Sequence, residues 1–160
     1  MSAPDFYFVN NAIFRHLHDV HGKDALILYW TRLGAEYYRS RTAAWAAGGP
    51  AAIAADWRAY FLLEPRASVT VTHVPPTPNA PESVLLDVHD CPAIRHLRDN
   101  GRDIVPYFCE HCDHVCSAMA APAGYRFERT GGMGACHQRF VRLSVSLPHP
   151  HPDTLAPAEG

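Results

Sequence analysis

The chain has 160 residues, 48% of them hydrophobic and 11% aromatic, which suits one globular domain with its own core. Its formal charge is −2 and its Lys and Arg residues are dispersed, so there is no cationic stripe for a phosphate backbone and nucleic acid is not an expected partner. No apolar signal-peptide core opens the chain, and the most apolar uncharged stretch, 42–55, is interrupted by Gly48-Gly49-Pro50 and is too short to cross a bilayer, so no membrane partner is expected.

The first sixty-five residues read as helices. Phe6, Phe8, Ile13, Leu17 and Val20 recur at near-helical spacing, and Leu26, Tyr29, Leu33 and Tyr37 form a second stripe after a break at His21-Gly22. A third helix can start at Pro50, where a missing N–H costs little, and run through Trp57, Tyr60 and Phe61 to end before Pro65. The stretch from Ala43 to Ala47 can pack inside or form a dimer contact, so a homodimer is an open expectation.

The period then changes to two. Residues 68–74 and 84–88 read as strands that can pair antiparallel across a proline-rich loop. A short helix follows, with Cys91 at its N-cap, Pro92 at its first position and Asn100-Gly101 as its stop. A cysteine-rich helix is expected from about Pro106 to Pro122-Ala123-Gly124, and residues 125–130 and 135–147 read as a hairpin around Gly131-Gly132-Met133-Gly134. Helices followed by β-β-α-α-β-β predict an α+β fold, with N-terminal helices packed on a small antiparallel sheet that carries two further helices. Residues 1–147 are expected to form one domain, and the Pro/His-rich remainder, 148–160 with His149 and His151, a disordered tail.

Five cysteines lie between Cys91 and Cys136, an odd number in a chain larger than most disulfide-stapled modules. That favours free thiols in a reducing, cytoplasmic setting. In the run Phe108-Cys109-Glu110-His111-Cys112-Asp113-His114-Val115-Cys116, a helix places Cys109, Cys112, Asp113 and Cys116 on one stripe and His111 away from it. Cys109 and Cys91 each fall near a helix N-terminus, where unpaired N–H groups and the helix dipole lower a thiol pKa. In the last strand Cys136, Gln138 and Phe140 alternate with His137, Arg139 and Val141. Alternation alone leaves open which row faces the core, since Val141, Leu143, Val145 and Leu147 make a second apolar row; the expectation adopted is that Cys136 and Gln138 meet the helix stripe. Buried, inert cysteine remains the alternative, above all for Cys116.

The order Asp90-Cys91-Pro92, a helix, Cys109 to Asp113, Gly124-Tyr125-Arg126-Phe127-Glu128-Arg129-Thr130, Gly131-Gly132 and Cys136-His137-Gln138-Arg139-Phe140 resembles the L-2-amino-thiazoline-4-carboxylic acid hydrolase family, as does His21-Gly22-Lys23-Asp24-Ala25. The resemblance implies functional positions at Cys91, at Cys109 or Cys112 with Asp113, and at Cys136. The chain differs in carrying two cysteines, Cys109 and Cys112, where the family pattern has one, and in having His137-Gln138 after the late cysteine in place of more acidic residues. A weaker similarity, to the small-molecule-binding domains named after vinyl reductases, implies a ligand pocket.

The leading expectation is therefore a hydrolase that opens a C–N or C–S bond of a small heterocycle resembling a thiazoline carboxylate, with no cofactor required. Cys109 first, and Cys112 second, would be the thiolate nucleophile, Asp113 would bind the substrate or relay protons, and Cys136 or Cys91 would shape the pocket. Arg129, Arg139 and Gln138 would bind substrate, the arginines through its carboxylate. The alternatives are a zinc or iron site built from Cys91, Cys109, His111, Cys112 and Cys136, or a small-molecule-binding domain without turnover.

Overall fold

The computed structural model describes residues 5–64 and 66–143. Its elements are α1 (Phe6–Arg32), a π-helical turn (Leu33–Tyr37), α2 (Arg39–Leu62), β1 (Ser68–Val74), β2 (Ser83–Asp90), α3 (Pro92–Asp99), α4 (Glu110–Ala120), a 3-10 turn (Ala121–Ala123), β3 (Tyr125–Gly132) and β4 (Ala135–Arg142). The four strands form one antiparallel sheet in the order β1-β2-β4-β3, so the protein is α+β with helices preceding the sheet. The expected tail, 148–160, and Val145 and Leu147 lie outside the described residues.

Glycine and proline punctuate the long helices as expected. α1 is interrupted at Gly22 (φ 83°, ψ 172°) and α2 at Gly49 (φ 62°, ψ −152°), after which Pro50 starts the second half of α2 with φ already preset. The buried stripe of α1 differs from the expected one. Tyr7, Asn11 and Phe14 face inward, while Phe6 and Val20 are exposed. The shift follows from Asn11, which is buried because it bridges to the loop before α4: its Nδ2 donates to the Asp103 carbonyl at 2.8 Å and its Oδ1 accepts from the Val105 N–H at 3.0 Å. A fully satisfied amide can be buried at little cost.

α2 and α4 lie against the sheet, and α1 packs on α4. Between α2 and the sheet, Trp45 and Trp57 meet Phe140, which in turn meets Phe127. Between α1 and α4, Phe14 contacts Trp30 edge-on and Phe108 at 5.4 Å. Of the alanine-rich stretch, Trp45 is buried and Ala43, Ala44, Ala46 and Ala47 are exposed. The π turn brings α1 close to α4 at Gly34: a Cβ there would stand 2.4 Å from the Val115 carbonyl oxygen, so only glycine fits. No helix among the described residues is long and apolar enough to cross a membrane.

Candidate functional site

Cys91 and Cys109 stand where the tip of the β3–β4 hairpin meets the first turns of α3 and α4. That tip is a two-residue loop, Met133-Gly134, closed by the Gly132–Ala135 pair, and both loop residues have positive φ (49° and 126°). Three contacts hold it down: the Cys91 N–H donates to the Gly134 carbonyl at 2.8 Å, Arg98 donates to the Met133 carbonyl at 2.6 Å, and the Met133 N–H donates to Cys109 Sγ at 3.1 Å.

The cysteine-rich helix starts later than its sequence suggests. Residues 106–109 form turns in which the N–H groups of Phe108 and Glu110 bond to the carbonyls of Val105 and Tyr107, leaving Cys109 as the N-cap of α4. The cause is local competition for backbone groups, because Nδ1 of His111 takes the Phe108 carbonyl at 2.5 Å. A carbonyl has no proton to give, so Nδ1 carries the hydrogen and Nε2 presents its lone pair. That lone pair faces Cys112 Sγ at 3.5 Å. The helical wheel turned His111 away from the cysteine stripe; its ring reaches back across that separation, packed against Phe14 and Phe108. Burial lowers the His111 pKa, so the ring is neutral near pH 7 and able to accept a proton.

Asp113, one residue on, receives a two-pronged bond from Arg129 of β3, Nε to Oδ1 at 2.9 Å and Nη2 to Oδ2 at 2.6 Å, while Nη1 donates to the Gly131 carbonyl. The Arg129 side chain is 12% exposed. Gly132 lies between this guanidinium and Cys109: a Cβ on it would be 3.2 Å from Arg129 Nη1 and 3.6 Å from Cys109 Sγ. On β4, Cys136 and Gln138 share the helix-facing row with Phe140, as expected, since they pair with the buried Val88, Leu86 and Val84. Gln138 Nε2 donates to Cys136 Sγ at 3.4 Å. Arg139 belongs to the opposite row, away from the thiols. The neighbouring Val141 is buried and Leu143 exposed.

The electrostatics run against the expectation of acidified thiols. Burial pushes Cys91 up to about 12, although the backbone amides of Ile94 and Ala93 at the start of α3 pull the other way. Burial likewise raises Cys112 to about 12, and it raises Cys109 and Cys136 despite the Met133 amide on one, the Gln138 amide on the other and Arg129 near both. Cys116 is fully packed and raised well above the ordinary thiol range. The loss of hydration by a thiolate exceeds what helix-terminal dipoles return. Each of Cys91, Cys109 and Cys136 is also raised by a Cys112 thiolate, which places these sulfurs in one electrostatic neighbourhood.

The expected residues Cys91, Cys109, Cys112, Asp113, Arg129, Cys136 and Gln138 are thus brought to one end of the fold, and Arg139 is not. All five cysteines are free. Among the described residues, no group of three or more His, Cys, Asp or Glu side chains stands in an arrangement that could hold a metal ion. Two residues acquire roles that sequence reasoning did not assign them: His111 as the partner of Cys112, and Met133 through its amide. The adjacency of His111 and Cys112 was a usable signal for the first; nothing local marks the second.

Two open grooves lie on the helical layer. One, of about 640 Å³, runs between α1 and α3 past Phe8, Asn11, Arg15, Leu97 and Arg102; the other, of about 660 Å³, follows Leu28, Tyr29, Arg32 and Tyr37. Neither is lined by a cysteine. Lys23 of α1 pairs with Glu110 at the start of α4 at 3.0 Å. Comparisons with protein-family models, with curated proteins and with solved structures each give no match.

Proposed function

We propose that this protein is a thiol-dependent hydrolase acting on a C–N or C–S bond of a small heterocycle of the thiazoline carboxylate type. The observation that carries the reading is the Cys112–His111 contact, with Nε2 3.5 Å from Sγ and Nδ1 held by the Phe108 carbonyl. A thiol beside an imidazole whose other nitrogen is held by a carbonyl is the kind of set from which nucleophilic catalysis is built, and this supports the reading. This favours Cys112, which has His111 beside it, as the nucleophile toward a heterocycle ahead of Cys109, whose sulfur faces the Met133 N–H instead of a base.

In the reaction, the Cys112 proton moves to His111 Nε2 and the thiolate attacks the ring carbon between nitrogen and sulfur. One ring bond breaks and its leaving atom takes the proton back from His111. Water then adds to the thioester-like carbon and releases Cys112 as a thiol. The high resting pKa of Cys112 keeps the thiol protonated until a substrate is in place, so His111 is the group on which the rate depends. Asp113 and Arg129 neutralise one another next to the nucleophile, and with its nitrogens taken up by Asp113 and Gly131 the guanidinium positions the helix rather than serving as the carboxylate anchor.

The test is turnover of a panel of carboxylated thiazolines, thiazolidines and small amides, followed by the release of a new thiol or amine. Cys112→Ser abolishes it and Cys109→Ser does not. Turnover that survives Cys112→Ser removes the reading. The groove between α1 and α3, which no cysteine lines, favours a second reading in which the domain binds a small molecule without converting it. Saturable binding to a Cys112→Ser variant, with no product from the wild type, distinguishes the two.

A further inference from the structure

Cys109-Glu110-His111-Cys112 contains two thiols separated by two residues at the start of a helix, a spacing that the hydrolase reading leaves unexplained because it uses only one of them. The backbone supplies the geometry for joining them. The Cys112 N–H donates to the Cys109 carbonyl at 3.2 Å, closing a single turn. A turn closed in this way brings the two Cα atoms to about 5–6 Å, inside the window a disulfide needs. Both residues are half-buried, whereas Cys116, one turn further on, is sealed in the core.

We propose that Cys109 and Cys112 form a reversible dithiol–disulfide pair that exchanges with small-molecule disulfides. The two sulfurs have different partners, and the partners assign the order of events. Cys109 Sγ receives the Met133 N–H, which stabilises negative charge there, whereas Cys112 Sγ faces the His111 ring, so Cys109 attacks first. Its sulfur displaces one half of the incoming disulfide, R–S–S–R, forming a mixed disulfide and releasing a thiolate. His111 Nε2 then takes the Cys112 proton, and Cys112 attacks Cys109 Sγ. The second thiolate leaves, the displaced groups pick up the two protons, and the sum is two protein thiols plus R–S–S–R giving one protein disulfide plus two R–SH. Cys136 is held by Gln138 on the strand opposite, and Cys91 at the start of α3, so neither shares this turn.

The pairing does not rest on the hydrolase reading, but it has a consequence for it. Oxidation consumes Cys112, so any turnover that depends on that thiol stops and is restored by a dithiol reductant.

The experiment is redox equilibration of the full chain with graded ratios of oxidised to reduced glutathione, followed by trapping with a maleimide under denaturing conditions. Trypsin leaves Cys109, Cys112 and Cys116 on one peptide, 103–126, in which tandem mass spectrometry locates the alkylated sulfurs. The expected result is loss of two alkylation sites, at 109 and 112, with Cys116 fully alkylated. Cys136→Ser and Cys91→Ser leave the result unchanged, whereas Cys112→Ser makes Cys109 accumulate as a glutathione adduct. The proposal is overturned if the wild type stays fully alkylated at the most oxidising ratio, or if either cysteine is joined instead to Cys91, Cys116 or Cys136. These outcomes are read from the protein itself, so they stand whether or not a heterocycle is hydrolysed.

Discussion

Met133 gives its backbone N–H to the sulfur of Cys109 at 3.1 Å from a left-handed conformation, φ 49°, that a side chain rarely adopts. The hairpin imposes that conformation because both residues of its two-residue loop need positive φ to match the twist of the strands. The sulfur therefore sits under an amide whose position is set by sheet geometry.

Strain of this kind costs about 1–3 kcal/mol for a residue with a Cβ, against about 0.5–1 kcal/mol for the extra chain entropy of glycine. Met133→Gly is expected to stabilise the protein by about 1 kcal/mol while keeping the N–H in place. Met133→Ala, which retains the Cβ, gains nothing. Urea midpoints compare the three, and a Met133→Gly variant less stable than Met133→Ala contradicts the account.

In the proposed reaction His111 is the base for Cys112, whose sulfur lies 3.5 Å from its Nε2. Replacing it with Gln removes the proton acceptor and is expected to slow turnover by about 10²- to 10⁴-fold, a typical contribution of a general base. Alkylation of Cys112 in the wild type should keep rising with pH past 9 toward its raised pKa near 12, without levelling at the ordinary thiol value. A plateau below pH 9 means that the thiol is not buried as described.

The same thiols tie stability to alkaline pH. Cys91 and Cys112 titrate near 9 when unfolded and near 12 when folded, so the folded state holds their protons more tightly. Their contribution is complete below pH 9 and is lost as pH rises toward 12. The urea midpoint should fall over that window, and the fall should be shallower in a Cys91→Ala/Cys112→Ala protein. Equal slopes for the two proteins refute the linkage.

Asp113→Asn leaves the 12%-exposed Arg129 side chain with no carboxylate. The Asp113 side chain is itself 39% exposed, so water compensates in part, and the expected loss is about 1–3 kcal/mol rather than that of a sealed pair. Restoring the residue as Glu should not recover full stability, because the longer side chain cannot meet both guanidinium nitrogens from the same turn. Denaturant titration of the Asn and Glu variants decides this.

Gly34→Ala tests the close approach of α1 to α4. Its Cβ would fall 2.4 Å from the Val115 carbonyl oxygen and 2.8 Å from Ala118 Cβ, both on a packed helix rather than on a flexible side chain. A loss of about 1–3 kcal/mol is expected from overpacking, together with displacement of α4 and faster alkylation of Cys112. An unchanged melting temperature would show that the helices separate freely there.

What was legible in the sequence was what local chemistry decides. Gly22, Gly49-Pro50 and Cys91-Pro92 marked their helix boundaries because the φ preferences of glycine and proline act without help from distant residues. The strand at 68–74 and the hairpin turn followed from period and glycine content. Features set by tertiary contact were not legible. Asn11 shifts the buried stripe of α1 because it bonds to residues 103 and 105, far along the chain. His111 delays the start of α4 by capturing a carbonyl, and the thiols are raised rather than acidified because burial, absent from any reading of spacing, outweighs the helix ends.

The clamp on the hairpin tip orders events at the ribosome. Cys91 and Cys109 leave the exit tunnel before Gly134 and Met133, whose carbonyl and amide bond the Cys91 N–H and the Cys109 sulfur respectively. Until the final strand emerges, the nascent chain carries hydrated sulfurs with ordinary acidity, and the interval between synthesis of α4 and of the hairpin tip is the one in which they are open to oxidants and to mispairing.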